Sequence, residues 1–106
     1  MVWTAEKYDE IRRLVRSAII QMIIEARGTC ITLTPKKVAK KARLSTKPVM
    51  LTVVRYAIEE VLQQDEGEGV RREVRRRGSG CVYRYIVTCD SSLWQEAKGM
   101  TKEVMV

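Results

Sequence analysis

Two prolines and two glycines determine where the regular elements of this chain begin and turn. Pro35 and Pro48 each follow a polar residue, and proline is tolerated in the first turn of a helix but not in its interior. Gly78 and Gly80 flank a serine between two runs rich in valine, tyrosine and arginine, which is typical of a hairpin turn. We therefore expect helices to begin near Pro35 and Pro48, and a hairpin to turn at residues 78–80.

Hydrophobic periodicity and capping residues predict four helices and three strands. Helices are expected over residues 4–27, 35–42, about 46–64 and 92–104, and strands over residues 30–34, 70–77 and 81–89. Thr34 is the expected cap of the second helix and Ser45 or Thr46 that of the third, while a capping box starting at Ser92 opens the fourth. We expect one α+β domain over residues 1–106, with its core over about residues 8–88.

Composition excludes several classes of function. The chain has no histidine, and its three cysteines form no Cys-x-x-Cys pair, so we expect neither a zinc site nor a histidine-based catalyst. Because no nucleophile–base pair or glycine-rich phosphate loop is evident, we expect no enzyme, cofactor or small-molecule ligand. The chain lacks a signal peptide and an apolar run long enough for a membrane span, so we expect a cytoplasmic location. Abundant arginine and glutamate without asparagine resemble a heat-adapted composition.

The net charge of +7 is concentrated in two blocks. Residues 31–56 carry seven basic side chains and no acidic one, and residues 70–88 carry six arginines against a single glutamate. Between them, residues 57–69 carry five acidic side chains and no base. Ordinary solvated faces interleave the two signs, so this pattern indicates a polyanionic partner.

The hairpin register is predicted from the way in which apolar residues segregate. Pairing Gly78 with Cys81 gathers six residues on one face, namely Val70, Val74, Cys81, Tyr83, Tyr85 and Val87. The same register places Arg71, Arg75, Arg77 and Arg84 on the other face. It also sets Arg75 opposite Arg84, which is unfavourable unless an anion lies beside them.

The order helix, strand, helix, turn, helix, hairpin, helix resembles the winged helix-turn-helix family of DNA-binding domains. The resemblance lies in the Thr34–Pro35 start, the turn over residues 43–45, the longer helix that follows and the arginine-rich hairpin. It implies a three-helix core, a short strand with a two-stranded wing, and an additional C-terminal helix. In this family the third helix enters the major groove, and the wing lies along phosphates or a minor groove.

The resemblance places the basic residues, with three uncharged neighbours, against double-stranded DNA. The candidate contacts are Lys36, Lys37, Lys40, Lys41, Arg43, Ser45, Lys47, Thr52, Arg55, Tyr56, Arg75, Arg76, Arg77 and Arg84. The outward face of the third helix carries Val49, Thr52 and Tyr56 but no arginine, asparagine or glutamine to read bases. Either this face makes mainly backbone contacts with a weak A·T preference, or another element or subunit covers part of it.

Two further expectations follow from the resemblance. The strand between the first two helices runs antiparallel to the last wing strand, which brings Cys30 and Cys89 together as a disulfide or as two buried free thiols. Many members of the family pair through terminal helices, so Leu93, Trp94, Ala97 and Met100 form a candidate homodimer interface. Alternatively, the C-terminal helix folds back on the first helix of its own chain.

We therefore expect a double-stranded DNA-binding protein, a homodimeric transcriptional regulator or a small architectural factor. The alternative is a winged-helix module that binds RNA or a protein partner, which the apolar outer face of the third helix favours.

Overall fold

Regular elements follow one another in the order that the sequence predicts. The computed structural model describes residues 5–63, 69–78 and 80–105, without the side chains of residues 5, 6, 77 and 100–105. The elements are α1 (Ala5–Glu25), β1 (Cys30–Leu33), α2 (Pro35–Lys41), α3 (Pro48–Leu62), β2 (Val70–Arg77), β3 (Gly80–Thr88) and α4 (Ser92–Met105). Over these residues the chain is an α+β protein with four helices and a three-stranded antiparallel sheet.

The first helix forms one wall of the core because its apolar residues recur on one side. Ile11, Val15, Ile19 and Ile23 are buried and follow one another at steps of four residues. This side of α1 packs against α3 and α4. The predicted apolar stripe is confirmed, and the helix ends slightly earlier than predicted, at Glu25. Residues 4 and 64, the predicted limits of the first and third helices, lie outside the described residues.

Both prolines lie in the first turn of a helix, but only one of the two predicted caps is correct. The hydroxyl of Thr34 accepts a hydrogen bond from the backbone N–H of Lys37 at 3.2 Å, which confirms the cap of α2. The cap residue of α3 is Lys47, whose side chain makes no capping bond. The prediction of Ser45 or Thr46 is wrong because the Ser45 hydroxyl accepts from the N–H of Lys47 at 3.2 Å, which closes a turn just before the helix.

In the sheet, β3 lies between β1 and β2, and both neighbours are antiparallel to it. The predicted hairpin register is wrong by two residues: Arg75 lies opposite Val82, and Arg84 lies opposite Glu73. Gly78 has a φ of 58°, so it provides the left-handed residue that begins the turn, one position earlier than predicted. The predicted opposition of two arginines across the hairpin therefore does not occur.

A register shift of two residues leaves every side chain on its predicted face of the sheet. The predicted common face is therefore confirmed, although only part of it is buried. Tyr85 and Val87 belong to the core, whereas Val74 on the same face is exposed. The reason is that β1 pairs only with residues 85–88 of β3. We call residues 70–72 and 85–87 the hairpin base, and residues 74–76 and 81–83 the hairpin tip.

One carboxylate joins the hairpin base to α3. Oε1 of Glu59 accepts a hydrogen bond from the Tyr85 hydroxyl at 3.0 Å and another from Nη1 of Arg72 at 2.9 Å. Burial of Tyr85, followed by its hydrogen bond to the Glu59 carboxylate, raises the pKa of this tyrosine. The three side chains come from α3, β2 and β3, so they fix the hairpin base against the helix.

The start of α4 is packed tightly against the start of β2. The buried Ser91 hydroxyl accepts a hydrogen bond from the N–H of Trp94 at 3.1 Å, so Ser91 is the cap rather than the predicted Ser92. Gly69 has a φ of 145°, and a Cβ at this position would lie 2.5 Å from the backbone nitrogen of Ser91. A glycine is therefore required where the two segments meet.

The C-terminal helix belongs to the core of its own chain. Leu93, Trp94 and Ala97 are buried within the single chain, and α4 packs along α1. Nζ of Lys98 donates to the carbonyl of Ala26 at 3.0 Å, beyond the end of α1. The predicted dimer interface is therefore wrong for these three apolar residues, and the alternative that α4 folds back on the first helix is confirmed. The side chain of Met100 lies outside the described residues.

The cysteines are free and exposed, so neither prediction for Cys30 and Cys89 is correct. Cys30 lies opposite Thr88, and the N–H of Cys89 donates to the carbonyl of Thr29 at 2.8 Å. Cys30 thus faces Thr88 across the sheet, and Cys89 follows the end of β3.

Candidate nucleic-acid interface

Ion pairs among the described residues neutralise the part of the molecule around α1 and the hairpin base. They are Arg12 with Asp9 and Glu60, Arg16 with Glu96, Lys41 with Glu25, Arg71 with Glu73, and Arg72 with Glu59. The acidic residues in the last turns of α3 thus have a local role, because Glu59 and Glu60 both pair with arginines. Lys41 is a predicted DNA contact, but its ammonium lies 2.7 Å from Glu25 at the end of α1. Its charge is compensated within the chain.

Most other predicted cations form no ion pair with any described residue. They are Lys36, Lys37, Lys40, Arg43, Lys47, Arg75, Arg76 and Arg84, and all are exposed. They lie in α2, in the turn before α3 and in the hairpin. The side chain of Arg77 lies outside the described residues. The uncompensated charge of these segments is therefore available to an external anion.

A groove of about 370 Å³ brings α2, α3 and the hairpin tip together. It is lined by Thr34, Pro35, Lys36, Leu51, Thr52, Arg55, Cys81, Val82 and Tyr83. Arg75 and Arg76 lie directly across the hairpin from Val82 and Cys81. Three predicted contacts, Lys36, Thr52 and Arg55, therefore border one groove, and Arg75 and Arg76 lie on the neighbouring strand of the hairpin. We call this the tip groove.

The guanidinium of Arg55 lies against two aromatic rings. Its Cζ is 4.6 Å from the ring centroid of Tyr56, the next residue of α3, and 4.3 Å from that of Tyr83 in β3. Both distances are within the range of cation–π contacts. Arg55 thus links α3 to the hairpin tip, and its side chain is held in place rather than extended into solvent.

The hairpin arginines are divided between the two faces of the ribbon. Arg76 shares the face of Tyr83, which is turned toward α3, whereas Arg75 and Arg84 belong to the opposite face. The predicted contacts Lys36 and Arg76 therefore border the tip groove, while Arg75 and Arg84 present their charge on the back of the hairpin. A partner that contacts all of them must surround the hairpin tip.

No described element of the chain covers the outward face of α3. Val49 is 68% exposed and Tyr56 is 52% exposed. The Thr52 side chain is exposed too, and its hydroxyl donates to the carbonyl of Pro48 at 3.0 Å. The prediction that another element of this chain covers the face is wrong for the described residues. Coverage by a second subunit stays a prediction.

The turn before α3 contributes exposed polar groups at the edge of the same surface. Arg43 has a φ of 60°, a left-handed conformation that is uncommon for arginine. It follows Ala42, the C-cap residue of α2, and its N–H donates to the carbonyl of Lys40 at 3.1 Å. Arg43, Ser45 and Lys47 are exposed in this turn, so these three predicted contacts are accessible.

A second groove, of about 570 Å³, lies between α3, the start of α1 and the hairpin base. Tyr8, Tyr56, Glu59, Glu60 and Arg72 are among its lining residues. Burial of the Tyr8 hydroxyl and the neighbouring Glu60 carboxylate raise the pKa of Tyr8. The polar groups of this groove are engaged with one another, since Glu59 accepts from Arg72 and Glu60 pairs with Arg12.

Sequence reasoning missed Tyr83 as a residue of the candidate interface. The alternation of β3 already placed it on the face that carries Tyr85 and Val87, so a position facing α3 was predictable. Its contact with Arg55 was not predictable, because this depends on how far the hairpin extends beyond β1.

No helix in the described part of the chain is long and apolar enough to cross a membrane. No three histidine, cysteine or acidic side chains of the described residues come together in a way that would hold a metal ion.

In comparisons with known proteins, no family model, no curated protein and no solved structure matches this chain. The function proposed below therefore rests on the chain's own residues and their geometry.

Proposed function

We propose that this chain is a double-stranded DNA-binding protein with a winged-helix architecture and mainly backbone contacts. In this proposal α2 and α3 form the helix-turn-helix, and β2 and β3 form the wing. The order of elements, the sheet order β1-β3-β2 and the turn between α2 and α3 support this interpretation.

The observation that carries the proposal is the juxtaposition at the tip groove. Lys36 from α2, Arg55 from α3 and Arg76 from the hairpin border one concave surface. Lys36 and Arg76 are exposed and form no ion pair with a described residue. Such side chains are suited to the phosphates of a duplex, which dominate the affinity of DNA-binding proteins. Ion pairs compensate charges around α1 and the hairpin base. Among the surfaces described above, the tip groove is therefore the strongly basic one.

Sequence preference is expected to be weak. Val49 and Thr52 offer methyl groups that suit the thymine methyl, and Tyr56 offers a hydroxyl for a phosphate. The outward face of α3 lacks the side chains that read guanine and adenine with paired hydrogen bonds. The protein is therefore a regulator of low specificity or an architectural factor.

An RNA or protein partner is the second candidate. The exposed apolar residues of α3 and the hairpin tip favour it, in particular Val49, Val74 and Val82. An ordinary phosphate-binding surface needs no such groups.

The test compares two double variants that remove the same charge. Replacing Arg75 and Arg76 with alanine removes one cation from each face of the hairpin tip. Replacing Arg13 and Arg27 with alanine removes two exposed cations, one in α1 and one just beyond it, that form no ion pair with a described residue. We expect the first variant to reduce the slope of log affinity against log salt by about 2, because each lost phosphate contact removes about 0.9 from the slope. The second variant should keep the slope of the original protein.

Binding is measured by titration of a labelled duplex between low and physiological salt. Equal slopes for the two double variants would contradict a role for the hairpin. Parallel titrations with single-stranded DNA and structured RNA distinguish the second candidate, because a duplex-specific protein binds the duplex most tightly at every salt concentration.

A further inference from the structure

The tip groove contains more apolar surface than contacts with phosphates require. Pro35, Leu51 and Tyr83 are among its lining residues. A phosphate backbone is polar and charged, so it gains nothing from apolar walls. The ligand that fits these walls has an apolar or aromatic surface of its own.

Cations stand at the rim of the same groove. Lys36 and Arg55 are lining residues, and Arg76 lies across the hairpin from Cys81. None of the described residues that line the groove is acidic. The site therefore combines an apolar interior with a basic edge, which suits a ligand whose flat ring is joined to an anion.

Tyr83 supplies an aromatic surface for stacking. The guanidinium of Arg55 already contacts this ring, with its Cζ 4.3 Å from the centroid, and it also contacts the ring of Tyr56 at 4.6 Å. Tyrosine rings are among the groups on which proteins stack unpaired bases. Because Arg55 holds the Tyr83 ring, little conformational freedom is lost when a base stacks on it.

We infer that the tip groove receives one unpaired base of a DNA duplex, together with the phosphate attached to it. The base stacks on the Tyr83 ring beside Pro35 and Leu51, and the phosphate lies between Lys36 and Arg76. This inference rests on the proposed function and specifies which form of DNA the protein prefers. A base that is already unpaired enters at little cost, because no base pair has to open.

The test uses two duplexes of the same sequence, one fully paired and one with a single unpaired base in the centre. Base stacking on aromatic side chains has a known range of energies, so we expect the duplex with the unpaired base to bind about 5- to 150-fold more tightly. 2-Aminopurine at the unpaired position should lose fluorescence on binding, because its ring becomes stacked.

Variants of Tyr83 provide the matched control. Tyr83→Leu removes the aromatic ring and should abolish the preference for the unpaired base, measured as the ratio of the affinities for the two duplexes. Tyr83→Phe keeps the ring and should keep the preference. Thr52→Gln, at an exposed position of the groove wall, should also abolish the preference by filling the space, and it does not alter the core.

The cysteines provide a second readout in the unmodified protein. Cys81 lines the tip groove, whereas Cys30 and Cys89 lie at the other end of the sheet, and all three are exposed. At saturation, the duplex with the unpaired base should slow alkylation of Cys81 more than the paired duplex does. The alkylation of the other two cysteines, followed by mass spectrometry of the same sample, should not differ between the duplexes.

Equal affinity for the two duplexes would overturn the inference and leave the proposed function intact. Tighter binding to an RNA helix with the same unpaired base would overturn the choice of DNA. Absence of binding to every duplex would overturn the proposed function itself.

Discussion

The base and the tip of the hairpin are continuous in sequence, and side chains alternate between the two faces in both. Only the base, however, belongs to the core. At the base, Tyr85 and Val87 are buried and Arg72 is paired with Glu59. At the tip, Val74 is 50% exposed and Arg76 has no ion-pair partner among the described residues. One pair of strands thus passes from core to candidate binding surface within a few residues.

The comparison shows that alternation specifies the face of a strand but not the depth of its side chains. The hairpin base and the hairpin tip both have apolar residues on the face turned toward α3. Only the base has β1 on its other side and α4 near its end, so only the base is covered. Exposed apolar groups at the tip are therefore available to a partner, and three predictions test this division.

The largest effect is expected where α4 supports the buried region. Trp94→Ala should lower the free energy of unfolding by about 3–5 kcal/mol, because it removes a large buried side chain between α4 and α1. Chemical denaturation monitored by circular dichroism measures the loss. Gln95→Ala, at the exposed neighbouring position, is the control and should change stability by less than about 0.5 kcal/mol. Similar values for the two variants would show that α4 does not belong to the core.

A single substitution made at both ends of the hairpin tests the comparison directly. Val87→Thr introduces a hydroxyl at a position with 0% exposure and should cost about 2 kcal/mol. Val74→Thr makes the same change on the same face at the tip and should cost less than about 0.5 kcal/mol. Thermal unfolding of both variants provides the values. An equal cost at the two positions would mean that the tip is covered in solution.

A smaller effect is expected at the link between the hairpin base and α3. Tyr85→Phe removes the hydrogen bond to the Glu59 carboxylate and should cost about 1.5 kcal/mol near neutral pH. Because the folded-state pKa of Tyr85 is raised, its contribution is complete below the unfolded value of 10.0 and is lost as the pH rises through the folded pKa.

The difference in stability between the original protein and Tyr85→Phe should therefore stay constant up to about pH 10 and shrink above it. Urea unfolding at several alkaline pH values measures this difference. A difference that keeps its size at higher pH would contradict the raised pKa.

Local signals in the sequence sufficed to predict the elements and the faces of the sheet. Pro35 with Thr34 specified the start of α2, because a capping hydroxyl and a missing N–H act within one turn. The hairpin register was wrong by two residues because the conformation of Gly78, rather than the apolar pattern, places the turn. A shift of two residues preserves the apolar pattern, so this pattern could not detect it.

Tertiary packing decided what local signals could not. The apolar stripe of α4 is equally suited to a partner chain and to α1, so its position in the core could not be deduced from the stripe. The candidate interface was predictable at Lys36 and Arg76, where charge alone is informative. The Tyr56–Arg55–Tyr83 contact required knowledge of how the hairpin extends past β1.

The carboxylate of Glu59 receives hydrogen bonds from β2 and β3 while belonging to α3. Because both hydrogen bonds end on one carboxylate, we expect α3 and the hairpin base to keep a fixed spacing. Under the proposed function, the duplex rather than the protein would then change shape on binding.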